Sequence, residues 1–211
     1  MKGTFSRQLE MLVLFAIMPL LLMVGGWTQA CFPLLWLAGL VCLYLMARDH
    51  VFDRRTKWPS VPFRRYLVPM LGCFAIFALL ITASLFVSSP SRLFSFMKEQ
   101  PRFWALLMVA YPVESVLPQS LVYRAFFFYR YRSLFSDGWP MMLASACAFA
   151  FAHIVYQNGL ALLFTFVGGL LFARTYRLTH SLWLSTLEHS LYGCFIFTIG
   201  LGEFFSLGDL W

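Results

Sequence analysis

Seven apolar stretches, each close to the length that crosses a lipid bilayer, take up most of this chain. They cover residues 9–27, 30–47, 67–87, 103–131, 140–156, 159–173 and 181–201. A helix needs about 20 mainly apolar residues to span the hydrocarbon core. Inside lipid, only a helix or a closed barrel satisfies its own backbone groups. Composition agrees, with 61% hydrophobic and 12% charged residues, against about 25% charged in a soluble chain. Too few charges remain to cover a surface facing water, which excludes a soluble enzyme, a nucleic-acid-binding domain and a disordered tail. The expected fold class is all-α: a polytopic transmembrane helical bundle of about seven spans, solvated by a lipid bilayer.

Charge placement gives the expected orientation. The net charge of +7 would suggest acidic partners in a soluble protein, but in a membrane protein basic residues collect in cytoplasmic loops. With seven spans and the N-terminus inside, twelve of the sixteen Lys and Arg fall on the inner side, six of them in the loop 48–65. Arg92, Lys98 and Arg102 lie outside, and Arg124 lies within a span. The expectation is N-in and C-out. The first stretch lacks a small-residue cleavage pattern and is read as a span rather than a signal peptide. The five cysteines are scattered with no C-x-x-C pair, so no disulfide framework or thiolate metal site is signalled. Residues 1–102 hold the first helices and the basic loop and carry no motif. Residues 103–211 hold the polar residues described next, within one integral domain.

Ionisable residues at membrane depth are costly unless they face the protein interior or water. This chain has five: Glu114, Arg124, His153, Glu188 and His189. At about 1.5 Å per residue, Ser120 lies about 18 Å from the inner end of its helix, His153 about 20 Å and His189 about 12 Å. Gln119 and Ser120 sit one turn before Arg124, on or beside its helical face. These depths predict that polar groups from three helices converge. A lone histidine in a span often does no more than bridge two helices, and Arg124 has a snorkelling alternative. Convergence of several such groups is what points to a site. Gly168 and Gly169 are expected to allow close helix packing rather than to bind a ligand.

The pattern resembles the CAAX-protease and bacteriocin-processing (CPBP) family of intramembrane endopeptidases. That family's first motif is a Glu-Glu pair, three residues, then Arg; the matching stretch here is Gln119-Ser120-Leu121-Val122-Tyr123-Arg124. Its second motif, Phe-x-x-x-His, is met by Phe149 and His153. Its third, His-x-x-x-Asn/Asp, is met by His189, with Gly193 in the Asn place. The likeness covers about residues 103–197. It implies a hydrolase in which a glutamate and the histidines activate a water against a peptide bond, the histidines also stabilising the oxyanion. It further implies Arg124 as counter-ion to the carboxylates. The implied partner is a membrane-embedded or lipidated polypeptide, with no nucleic acid. The implied location is a bacterial cytoplasmic membrane. No cofactor is expected; zinc held by His153 and His189 is the alternative.

Both glutamate positions are lost, to Gln119 and Ser120. Ser120 is read as the position of the family glutamate, and a serine cannot serve as a water-activating base at neutral pH. The copy is therefore expected to be impaired, through an engineered inactivating change or as a natural pseudoenzyme. Arg124 is expected to lose its counter-ion, at some cost in stability. Glu188 adjoins His189 but points about 100° away around the helix; it is read as a supporting residue that either swings toward the cavity or orients its neighbours. A Ser120 nucleophile with a histidine base is the chemical alternative. The competing function is a non-catalytic chaperone, immunity factor or scaffold that binds hydrophobic tails in the same cavity. A proton-coupled transporter would show inverted repeats, and none is evident.

Overall fold

The computed structural model describes residues 2–48, 63–135 and 138–206. Most of the basic loop, including Arg54, Arg55 and Lys57, lies outside the described residues, as does Asp209. Among the described residues the fold is all-α, with no strand. Among the described residues, six helices are long and apolar enough to cross a membrane: α1 (Thr4–Val24), α2 (Cys31–Arg48), α3 (Phe63–Ser88), α5 (Pro101–Arg130), α6 (Trp139–Tyr156) and α7 (Gly159–Thr179). A short α4 (Ser95–Glu99) precedes α5, and α8 (Leu182–Ile199) closes the bundle. The protein is an integral membrane protein.

The seventh expected span, α8, is fully helical but does not join the six apolar helices. Its polar residues Ser185, Thr186, Glu188 and His189 lower its hydropathy, and all four are buried. The reason is position. Helix α8 packs against α3, α5 and α7, so protein rather than lipid surrounds its polar face. The outer helices show the converse, exposing Leu79, Leu80, Val87, Leu106 and Val109. A large exposed apolar surface of this kind marks contact with membrane.

Local chemistry sets the helix ends. Asn158 caps α7, its side chain accepting from the Leu160 amide at 2.8 Å, and Ser181 caps α8 by accepting from the Leu184 amide at 3.3 Å. Helices α6 and α7 lie very close. A Cβ on Gly169 would come 3.1 Å from the Ala146 Cα, so the close packing expected of this glycine is present.

Polar ties join the termini to the bundle. Arg130 donates to both carboxylate oxygens of Glu10, at 2.9 and 2.5 Å, and the Tyr131 hydroxyl donates to the same group at 3.1 Å. Arg7 reaches Ser133. The start of α1 thus lies beside the end of α5. Near the other end of α5, Arg92 pairs with Glu203, bringing the chain after α3 beside the chain after α8. Under these ties, Phe15 of α1 packs edge-on against Tyr123 and Phe127 of α5, with centroids 5.4 and 5.2 Å apart.

Candidate active site

Helix α5 departs from regular α-geometry where the first motif lies. A π-helical turn spans Pro112–Val116 and a second spans Leu121–Phe126, with the short α-turn Leu117–Ser120 between them. Pro112 and Pro118 lack the amide hydrogens that a regular ladder would use, and π-bulges of this kind gather at functional sites. Tyr111, Ser115 and Gln119, spaced four apart, face one cavity together. Gln119 donates through Nε2 to the Ser115 hydroxyl at 2.7 Å. Its Oε1 is buried with no hydrogen-bond partner among the described residues.

That cavity, of about 230 Å³, is also lined by Phe149, His153, His189 and Gly193. A second cavity of about 280 Å³ is walled by α1 and α2, with Met18, Leu35 and Val41 among its lining. The two share Ser115, Gln119, His153 and Tyr156. Among the described residues, no Asp, Glu, Lys or Arg lines either one.

Phe149 organises the histidines. Its ring centroid lies 4.6 Å from that of His153 and 5.3 Å from that of His189. His153 opens the tighter 3₁₀ turn that ends α6, with its Nδ1 2.6 Å from the Phe149 carbonyl. A carbonyl only accepts, so Nδ1 carries the proton and Nε2 is left as the acceptor. His189 stacks on Phe172 at 4.6 Å with 19° between the planes, and its Nε2 lies 3.4 Å from the Tyr111 hydroxyl.

The remaining expected residues lie elsewhere. Ser120 is buried but lines neither cavity, because adjacent helical residues diverge by about 100°. The cavity faces Gln119 instead. Arg124 is 2% exposed and also stands outside the cavity. It donates to the Ser145 hydroxyl at 2.6 Å and to the Tyr123 carbonyl at 3.1 Å. Its guanidinium carbon lies 4.9 Å from the Phe149 ring centroid, a cation–π contact. Glu188 is buried, lines neither cavity, and keeps one carboxylate oxygen without a partner among the described residues. Glu114 is exposed. Four residues of this neighbourhood carry no motif signal: Tyr111, Ser115, Ser145 and Phe172. Only the first two leave a trace in the sequence, at eight and four residues before Gln119 on one helical face.

Zinc finds too few ligands. Catalytic zinc sites use three protein ligands and an open position. His153 and His189 are two, and among the described residues no group of three or more His, Cys, Asp or Glu is placed to hold a metal. The residues present do not fit that group.

Residues 99–195 match a family model, that of the type II CAAX prenyl endopeptidase Rce1-like proteins. No curated protein and no solved structure matches the chain. The matched segment runs from the end of α4 into α8 and includes Gln119, Ser120, Arg124, Phe149, His153, His189 and Gly193. The walls that α1 and α2 give the second cavity lie outside it.

Proposed function

Starting from an Rce1-like segment over residues 99–195, a protease family, we propose that this protein is an intramembrane endopeptidase by architecture. Its substrate would be a membrane-embedded or lipidated polypeptide, and its water-activating carboxylate is missing. One observation carries the reading: Gln119, an amide, occupies the cavity beside His153 and His189, and among the described residues no carboxylate lines that cavity. The amide can hold a water through Oε1 but cannot take its proton. His153 offers Nε2 as an acceptor, and His189 offers a second imidazole where negative charge develops. The carboxylate is lost at Gln119 as much as at Ser120.

The second reading is a non-catalytic protein that holds hydrophobic tails, and the uncharged, mainly apolar lining of both cavities favours it. Cleavage of a membrane-anchored peptide in proteoliposomes separates the two. The unaltered chain is expected not to cleave. Gln119→Glu is expected to gain activity by about 10²-fold or more, the usual contribution of a positioned base. Ser120→Glu is expected to gain little, since its side chain stands off the cavity. Retained peptide binding with no cleavage in any variant would replace this reading with the second. Cleavage by the unaltered chain that disappears in Ser120→Ala would establish the serine mechanism instead. Stoichiometric zinc in purified protein would also overturn it.

A further inference from the structure

Position 193 is where the third motif carries Asn or Asp, and in this protein a different helix fills that volume. A Cβ on Gly193 would lie 2.3 Å from both Cε1 and Oη of Tyr111. The phenol and any larger residue at 193 therefore exclude each other. The same hydroxyl stands 3.4 Å from His189 Nε2, at the long end of hydrogen-bond range. Otherwise aromatic rings hold the imidazole, Phe172 against its face and Phe149 at its edge. Tyr111 is itself fixed edge-on against Phe197, with centroids 5.1 Å apart, and it ends the regular part of α5 just before the π-turn at Pro112.

We propose that Tyr111 is a positioning residue of this site: its hydroxyl gives His189 Nε2 the hydrogen-bond partner that position 193, lacking a side chain, cannot. Stacking on Phe172 fixes the plane of the imidazole but gives neither ring nitrogen a hydrogen-bond partner. A hydroxyl at one nitrogen selects between the two tautomers. With the phenol donating, Nε2 accepts and the ring proton stays on Nδ1. Glycine at 193 and tyrosine at 111 thus form one device, the first leaving the room that the second occupies. Its consequence for cleavage rests on the endopeptidase reading. The state of the ring does not.

The test is the ring-nitrogen NMR spectrum of histidine-labelled protein in nanodiscs. The four histidines, His50, His153, His180 and His189, are assigned by single replacement with glutamine. Tyr111→Phe, which keeps the ring and removes the hydroxyl, is expected to shift the His189 Nε2 signal and spread its proton over both nitrogens. His153, tied through Nδ1 to the Phe149 carbonyl, is expected to keep its signal. Gly193→Ala should displace the intact phenol and give the same His189 change. Tyr111→Ala combined with Gly193→Asn should restore much of the original signal, since the amide brings a donor into the same space. An unmoved His189 signal in Tyr111→Phe would overturn the proposal, as would an equal shift of His153. A Gln119→Glu variant that never cleaves would sink the endopeptidase reading and leave this result intact.

Discussion

Arg124 carries a buried positive charge in a helix where the expected carboxylates are an amide and a hydroxyl. A buried cation without partners costs several kcal/mol, and the structure supplies neutral ones. Ser145 accepts from the guanidinium and donates its own hydroxyl hydrogen bond to the Tyr123 carbonyl at 2.7 Å, while the Phe149 ring lies against the cation. Ser145→Ala removes an acceptor that nothing replaces at 0% exposure. It is expected to lower stability by about 1–3 kcal/mol, read as a reduced unfolding midpoint in detergent; an unchanged midpoint would show that the hydroxyl carries none of the charge. The Phe149 ring links Arg124 to both imidazoles, so the same variant should also disturb the His153 and His189 ring signals. Arg124 and both histidines could be found from the sequence, because charge at membrane depth is rare. Ser145 and Phe172 could not, because Ser and Phe are ordinary in apolar helices.

At the scale of elements, two departures from regular geometry matter. Two π-turns flank the short α-turn that carries Gln119 and Ser120, and the folded helix turns Gln119 inward with Tyr111 and Ser115. The other departure is the close contact of α6 and α7 at Gly169. Gly169→Val is expected to cost about 1–3 kcal/mol through overpacking against Ala146 and Phe149. A methyl group at Gly72 would meet nothing within 4 Å, so Gly72→Ala should be neutral or gain up to about 1 kcal/mol in helix propensity. Thermal unfolding of the two variants side by side checks both; equal losses would show that helix propensity, not contact, governs position 169.

For the whole molecule, the ties at its ends bear on topology. Glu10 with Arg130 brings together positions separated by an even number of expected crossings, as does Arg92 with Glu203. Basic residues crowd near the first tie, as they do on the inner side of membrane proteins. In a background with the five cysteines replaced, Ser133→Cys and Ser206→Cys are expected to react with a membrane-impermeant maleimide from opposite faces. Residue 206 should label from outside in intact cells; labelling of both from one face would exclude the N-in, C-out arrangement. The Arg130–Glu10 pair is half exposed, with side-chain accessibilities of 39% and 27%. It contributes under about 1 kcal/mol and matters more for register than for stability.

The sequence by itself determined the solvent, the helical class, the approximate spans and the polar residues placed at depth, because each follows from local composition and a fixed rise per residue. It also determined that no carboxylate stands at either position of the first motif, which is a matter of identity alone. The tertiary structure decided what depends on rotation and on neighbours distant in the chain. It turned Gln119 rather than Ser120 into the cavity, gave Arg124 a hydroxyl and an aromatic ring as partners, and packed the polar face of α8 against protein so that its polar residues escape lipid. It also placed Tyr111 over Gly193, eighty-two positions along the chain, because an empty volume on one helix acquires meaning only when another helix is packed against it.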